Sequence, residues 1–503
     1  MSAPPDQKLA PTRIIALGLL LFAMFLGAGN IIFAPIVGQQ SGNALWEPMS
    51  GFLITGVGLV LLAIIALVSV QGNPFRLAER VSRRFAVVFC FLLFLALGPL
   101  YVIPRTTSVV HEITVKPNLP DSLTNSAWVL FAFTVVFTGI SIYLSVSPGK
   151  LVDRIGKVLT PVFSVLLVII IVRSLISPMG EMHDPVSPYD EGNGFLMGLT
   201  EGYLTMDVLA ALVFGGVFIQ TIRGQGVHSR KGTASVFLKA GLITVVGLAL
   251  LHISAAWLGA SSVDEIGRPD NGGAVLAESA RVLLGTPGLA MIGTVVFLTG
   301  LTTNVACITS VADYFAQQFP RISYRQWVWV HSLAGMTFAN FGLQVVLDTA
   351  LPILFLLYPL AMTLIVLTLL DRFFGGRRPV YVGAVLGAGL VAVLDALKAA
   401  GILTDQLNDW FSFLPLFADN AGWILPAVIG AVIGGIWAKV TGAPALPVDR
   451  DADAHTTGID ESEMPEADGA EDAAAPGADV SADPTKPTDP TDPTDSTDRK
   501  VTS

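Results

Sequence analysis

Three groups of polar residues interrupt otherwise apolar stretches of this 503-residue chain. The first is FLGAGNIIFAP, Phe25 to Pro35, which contains Gly27, Gly29, Asn30 and Pro35. A helix broken in lipid leaves N–H and C=O groups without partners, and this is tolerated only where the break is buried in protein or lines a cavity. Glycines let the backbone unwind and let a ligand come close. The half-helices beside such a break offer amides to an anion and carbonyls to a cation. Gly27 and Gly29 would also suit plain helix packing. Asn30 argues against that reading, because a buried amide needs partners of its own.

The second group is LTEGYLTMD, Leu199 to Asp207, with Glu201, Gly202, Thr205 and Asp207. Ionisable residues at membrane depth are costly and mark functional sites. Glu201 or Asp207 could bind an ammonium group, a proton or a helix end. The third group is FLTGLTTNVACITS, Phe297 to Ser310. Thr299, Thr302 and Thr303 stand at i, i+3 and i+4 beside Asn304, so they share a helix face. Neutral hydroxyl and carbonyl oxygens suit a small hard cation such as Na⁺. The alternative is that each threonine bonds the carbonyl of its own preceding turn.

The elements that carry these groups follow from hydropathy. The chain is 52% hydrophobic and 14% charged, against about 25% charged in soluble domains. Runs of about 20 apolar residues cross the hydrocarbon as helices. Twelve such ranges are expected: 14–38, 50–70, 85–104, 126–146, 151–176, 193–222, 234–259, 287–316, 326–343, 349–370, 380–397 and 422–441. With the N-terminus inside, the cytoplasmic segments hold nineteen Lys and Arg and the outer ones six, namely Arg105, Lys116, Arg173, Arg268, Arg281 and Lys398. This bias fits the positive-inside rule and puts both termini in the cytoplasm. The expected fold is an all-α membrane protein of twelve transmembrane helices. Its first and sixth helices are broken at matching positions of a 5+5 inverted repeat, the pattern of a secondary-transporter site.

Residues 1–13 form a short cytoplasmic N-terminus, and 14–441 the transmembrane domain. From Gly442 on, sixteen acidic side chains meet four basic ones, so this tail carries −12 and the rest of the chain +2. Its Asp, Pro and Thr repeats (DPTKPTDPTDPTDSTD) read as a disordered acidic cytoplasmic tail. Cys90 and Cys307 lie in apolar runs and make neither a disulfide framework nor a metal site. No catalytic motif, P-loop or pump phosphorylation motif occurs, so neither an enzyme nor a nucleotide-driven pump is expected. No basic, aromatic-interleaved patch suggests nucleic acid. Transport driven by an ion gradient is the class that remains. A membrane sensor with the tail as its output stays open.

GAGNIIF followed by Ala-Pro, GPLYVIPRT, the Ser147–Lys157 turn SPGKLVDRIGK and EGYLTMD together resemble the bacterial branched-chain amino acid:cation symporters, leucine-transporter-like members of the amino acid/polyamine/organocation superfamily. The likeness spans Ile14 to about Val440. It implies a multi-pass protein of the bacterial inner membrane that imports leucine, isoleucine and valine with Na⁺ by alternating access. A proton-coupled or exchange transporter of another amphipathic solute is the alternative. Gly27 to Asn30 is also similar to the first-helix break of the neurotransmitter:sodium symporters, and Leu301-Thr302-Thr303 to their eighth helix. That resemblance implies a Na⁺ site from the Ala23, Leu26 and Thr299 carbonyls with the Thr302 and Thr303 hydroxyls, and Asn30 at a second ion. It implies that amides around Gly27, Ala28 and Gly29 hold the substrate carboxylate. Phe25, Phe33, Glu201, Gly202 and Thr205 would line the substrate site, and Tyr101 would gate it. Substrate and lipid bilayer are the partners expected.

Overall fold

The computed structural model describes residues 9–146, 160–190 and 192–445. All regular structure among them is helical. The chain divides into Met1–Val448 and Asp449–Ser503; the acidic repeats of the tail and the 147–157 turn lie outside the described residues. We number the longer helices α1 Pro11–Phe25, α2 Ala28–Ser41, α3 Trp46–Ser69, α4 Arg83–Asn118, α5 Ala127–Val146, α6 Thr160–Ile176, α7 Gly194–Glu201, α8 Asp207–Arg223, α9 Arg230–Ala260, α10 Gly272–Gln318, α11 Tyr324–Ala339, α12 Leu343–Phe374, α13 Arg378–Ala399 and α14 Ile424–Val440.

Each of the twelve expected ranges holds helix. Among the described residues, eight helices are long and apolar enough to cross a membrane: α3, α4, α5, α7 with α8, α9, α10, α12 and α13. A ninth results if α1 and α2, bent by 70° at their junction, count as one broken span. The ranges 326–343 and 422–441 hold helices of 16 and 17 residues, short of the ~20 needed for an untilted crossing; of 151–176 the described part, from Thr160, is helix to Ile176.

Local chemistry sets many helix starts. Ser82, Ser229, Asn271 and Ser323 each accept a backbone N–H of the first turn, and Ser323 with Gln326 forms a reciprocal capping box, satisfying amides that have no intrahelical acceptor. Large apolar side chains such as Val88, Leu390, Ile433 and Val440 point outward, as a lipid-facing surface requires.

Two helices run past their expected ends. The range 85–104 was expected to stop before an outer loop at Arg105. Instead α4 kinks at Gly98 (φ −95°, ψ −124°) and Tyr101 (φ −140°, ψ −61°) and continues to Thr114 as an almost wholly buried segment. Pro99 and Pro104 break the backbone pattern without ending the helix. The range 287–316 begins earlier, at Gly272, and bends at Gly285 (φ +65°) just before Pro287. Two cations assigned to outer segments are therefore interior: Arg105 is 3% exposed, and Lys398 is buried with its Nζ on the Phe417 carbonyl at 2.7 Å.

The broken helices are wedged among glycines. A Cβ at Gly38 on α2 would fall 1.9 Å from the Ala256 carbonyl oxygen of α9, and one at Gly198 on α7 would fall 1.8 Å from that of Pro48 on α3. Backbone thus meets backbone where each broken helix docks.

Candidate functional site

The first break is two residues long. α1 ends at Phe25, Leu26 leaves helical geometry at ψ 73°, and Gly27 is extended at φ −83°, ψ 157°. The Gly27 N–H donates to the Phe25 carbonyl at 2.6 Å, and the Asn30 N–H to the Gly27 carbonyl at 3.0 Å. In an unbroken helix those amides would serve Ala23 and Leu26. The break therefore withdraws the usual N–H donor from both carbonyls.

The second break lies closer to Asp207 than the residue types alone indicated. α7 ends at Glu201, Gly202–Thr205 make one tighter 3₁₀ turn, and Met206 is left-handed at φ +67°. That conformation costs a non-glycine residue ~1–3 kcal/mol. α8 then starts at Asp207, whose N–H is capped by the Thr205 hydroxyl at 3.4 Å.

Asn30 joins the two breaks. Its Nδ2 lies 2.7 Å from both carboxylate oxygens of Asp207 and donates to the Phe25 carbonyl at 2.8 Å. Both residues are buried. Arg105 reaches the second break from α4, donating to the Leu204 carbonyl at 2.5 Å and the Thr205 carbonyl at 3.4 Å. Its guanidinium lies over the rings of Tyr101 and Phe33, 4.7 and 5.7 Å from their centroids.

These groups surround a small cavity of about 20 Å³. One water needs ~10–15 Å³, so in this conformation the space is far smaller than a leucine side chain. Asn30, Arg105, Thr205, Asp207 and Thr303 supply its polar wall; Met24, Phe25, Leu97, Val102 and Phe214 supply most of the apolar one. Phe25 and Phe214 meet edge to face at 6.3 Å.

Of the expected substrate residues, Phe25, Gly27 and Thr205 line this cavity; Tyr101, Glu201 and Gly202 do not. The Tyr101 hydroxyl stands behind the wall and accepts from Arg105 at 3.3 Å. Gly202 serves close packing: a Cβ there would fall 2.0 Å from the Thr55 hydroxyl of α3. Glu201 closes α7 before the turn, and Asp207, one turn and a left-handed residue later, takes the cavity position. Ala28 and Gly29 contribute as the first backbone of α2, between the lining residues Gly27 and Asn30. Phe33 reaches the site through Arg105.

The three threonines of α10 separate. The Thr302 hydroxyl donates to the Thr299 carbonyl at 2.8 Å, and both oxygens keep lone pairs that a cation could use. The Thr299 hydroxyl turns to the Val296 carbonyl at 3.3 Å. The Thr303 hydroxyl has no hydrogen-bond partner among the described residues and lies against the first break, 3.1 Å from where a Cβ on Gly27 would sit. Of the three, Thr303 lines the cavity. Asn304 donates to Thr107 at 3.1 Å, and its buried carbonyl oxygen lacks a partner among the described residues.

An all-helical bundle in which two broken helices meet around a small cavity of mixed polarity defines a membrane carrier. Its fold is similar to that of Mhp1, a nucleobase-cation-symport-1 family transporter. A closed conformation of Mhp1 with bromovinylhydantoin bound aligns with a TM-score of 0.55 at 16% identity, over 86% of this chain and 94% of that one. The inward-facing conformation of Mhp1 aligns at 0.57, also at 16% identity, over 87% and 93%. Residues 10–441 match the family described as branched-chain amino acid transport protein, and the chain belongs to that family. It is 39% identical to the branched-chain amino acid permease BraB of Bacillus subtilis, over 84% of this chain and 94% of the relative. It is 37% identical to the branched-chain amino acid transport system 2 carrier protein of Pseudomonas aeruginosa (86% and 97%) and 34% to BrnQ of Escherichia coli (87% and 98%). The protein is a transporter, not an enzyme.

Proposed function

We propose that this protein imports leucine, isoleucine and valine across the bacterial inner membrane with Na⁺, by alternating access between twelve spans arranged as two inverted halves of five plus two. The observation that carries this reading is the Asn30 bridge from the Phe25 carbonyl to the Asp207 carboxylate, which makes one site of two helix breaks. Both termini are cytoplasmic in this arrangement. The inverted repeat is supported by packing: the first span lies on α9, the second helix of the other half, and the sixth lies on α3, its counterpart.

In this reading the substrate carboxylate rests on the amides of Gly27 to Gly29 at the α2 N-terminus, where the helix dipole favours negative charge. The aliphatic side chain lies against Phe25, Phe214 and Val102. Such a wall reads one methylene at only ~1–3 kcal/mol, so leucine, isoleucine and valine share it. Na⁺, as co-transported cargo, would take the Ala23 and Leu26 carbonyls with the Thr303 hydroxyl. Asp207, a buried carboxylate that accepts from the neutral Asn30 amide, favours a second reading in which the coupling ion is a proton.

Proteoliposomes loaded with potassium salt test both. Radiolabelled leucine should accumulate under an inward Na⁺ gradient with no pH difference, and fail to do so when external Na⁺ is replaced by K⁺. Accumulation driven by a pH gradient without Na⁺ would replace the sodium reading with the proton one. No leucine accumulation under either gradient would overturn the substrate assignment.

A further inference from the structure

Arg105 carries a positive charge into the cavity wall, yet none of its hydrogen bonds reaches a carboxylate among the described residues. Its guanidinium instead occupies the Leu204 and Thr205 carbonyls. The left-handed Met206 frees both, because in a continuous helix they would accept from Val208 and Leu209. They close the C-terminal end of a half-helix, where the backbone carries partial negative charge. Two adjacent carbonyls beside Asp207 are the acceptors an ammonium group requires. The cavity has room for about one water, so an amino acid enters only if something now in the wall moves. Arg105 stands on the part of α4 beyond the Gly98–Tyr101 kink, and the Phe33 and Tyr101 rings offer its planar head a surface to slide on.

We propose that the Arg105 guanidinium is a tethered stand-in for the substrate's ammonium group, which holds the Leu204 and Thr205 carbonyls and must be displaced by an incoming amine before the cavity opens. This rests on the amino acid reading above and adds to it a reason for requiring the α-amino group. The exchange is balanced in charge at those carbonyls, one cation leaving as another arrives. A ligand that lacks an amine has nothing with which to drive the guanidinium out.

The test is equilibrium binding of radiolabelled leucine to the purified full chain in lipid nanodiscs. Two competitors are used: 3-methylbutylamine, which lacks the carboxylate, and 4-methylpentanoate, which lacks the amine. In the wild type, the amine should displace leucine at about one-tenth the concentration of the acid, since an unpaired buried carbonyl costs enough for about a tenfold effect. Arg105→Gln should tighten leucine, the amine and the acid alike, each about tenfold, because every ligand that enters must otherwise displace the guanidinium. Arg105→Lys, which keeps a charge, should give a smaller gain. If Arg105→Gln does not fold, the wild-type ranking decides alone, and acid binding equal to amine binding overturns the proposal. Weaker leucine binding by Arg105→Gln with unchanged amine binding also overturns it, because the guanidinium would then read the carboxylate. Unchanged binding of all three ligands by Arg105→Gln overturns it as well, because the guanidinium would then not compete for those carbonyls. A wild type that binds no leucine overturns the substrate reading and this proposal with it; any of the other failures overturns this proposal alone.

Discussion

Asn30→Ala removes the single side chain that ties the two helix breaks together. The truncation leaves the buried Asp207 carboxylate without its amide donor, while the Phe25 carbonyl still accepts from the Gly27 N–H at 2.6 Å. For one buried charged acceptor the loss is ~3 kcal/mol. A water drawn into the enlarged cavity would recover part of the loss, because a bridging water is nearly as good as a direct bond. About 2 kcal/mol net then remains, a factor of ~30 in an equilibrium. Leucine uptake by Asn30→Ala, at equal membrane abundance, should accordingly fall about 30-fold in kcat/KM. The bridge itself is isolated by a double-mutant cycle with Asp207→Ala, read as thermal unfolding in lipid nanodiscs. If Asn30 acts through Asp207, Asn30→Ala should cost ~1–2 kcal/mol less in the Asp207→Ala background. Wild-type uptake by Asn30→Ala, or additivity within ~0.5 kcal/mol in the cycle, would refute the claim that this hydrogen bond unites the site.

Three further outcomes follow from the geometry. Thr303→Ala should raise the Na⁺ concentration for half-maximal leucine uptake several-fold, since its hydroxyl lies against the first break with no hydrogen-bond partner among the described residues; an unchanged Na⁺ dependence would remove Thr303 from the ion site. Gly198→Ala puts a methyl 1.8 Å from the Pro48 carbonyl oxygen, so the α3–α7 contact must separate and the melting temperature should drop by several degrees, as an overpacking loss of ~1–3 kcal/mol implies; an unchanged melting temperature would show that this contact is looser than it is drawn. Outside the membrane, His183 and the Glu181 N–H hold the Asp264 carboxyl below the usual carboxylate range. A depressed carboxylate stabilises the folded contact above its unfolded pKa of ~3.9 and loses that contribution as pH falls through the folded value. A spin label on a cysteine at position 181 should therefore stay ordered from neutral pH down to about pH 4 and loosen below it, and Asp264→Asn should loosen it at every pH; loosening near neutrality in the wild type would assign the contact to another group.

Composition and residue type made the broken first helix legible. Gly27, Gly29 and Asn30 have no business in the middle of a lipid-crossing helix unless the backbone opens there, and it opens at Leu26 and Gly27. The second break was legible to within a turn. Glu201 and Asp207 are equally acidic in sequence, and only the left-handed Met206 decides that Asp207, not Glu201, opens the following helix at the cavity. Arg105 was not legible at all. A cation after an apolar run reads as a loop charge, and its partners at 204 and 205 lie about a hundred residues away. The signal that was available is GPLYVIPR itself, where two prolines bracket an apolar segment that resumes helical periodicity through Ile113. The hydrogen bonds of the threonines were not legible either. Spacing fixes the face of a helix, but not whether a hydroxyl donates to its own i−3 carbonyl, as that of Thr302 does.

The breaks and the polar side chains are each unaffordable alone. Freed carbonyls at Leu204 and Thr205 would be orphaned in an apolar interior, and so would the Asn30 amide, the Arg105 guanidinium and the Asp207 carboxylate. Together they satisfy one another: Asn30 takes Phe25 and Asp207, and Arg105 takes Leu204 and Thr205. Three separate helical elements are thereby bound at one point, with α2 and α4 both holding the turn between α7 and α8. A ligand that claims any one of these carbonyls must evict a side chain belonging to another helix. Displacing Asn30 releases the first span from the sixth, and displacing Arg105 releases the third from the sixth. Binding and helix movement are then the same event at this site, because the bonds that hold the helices together are the bonds a charged solute would replace.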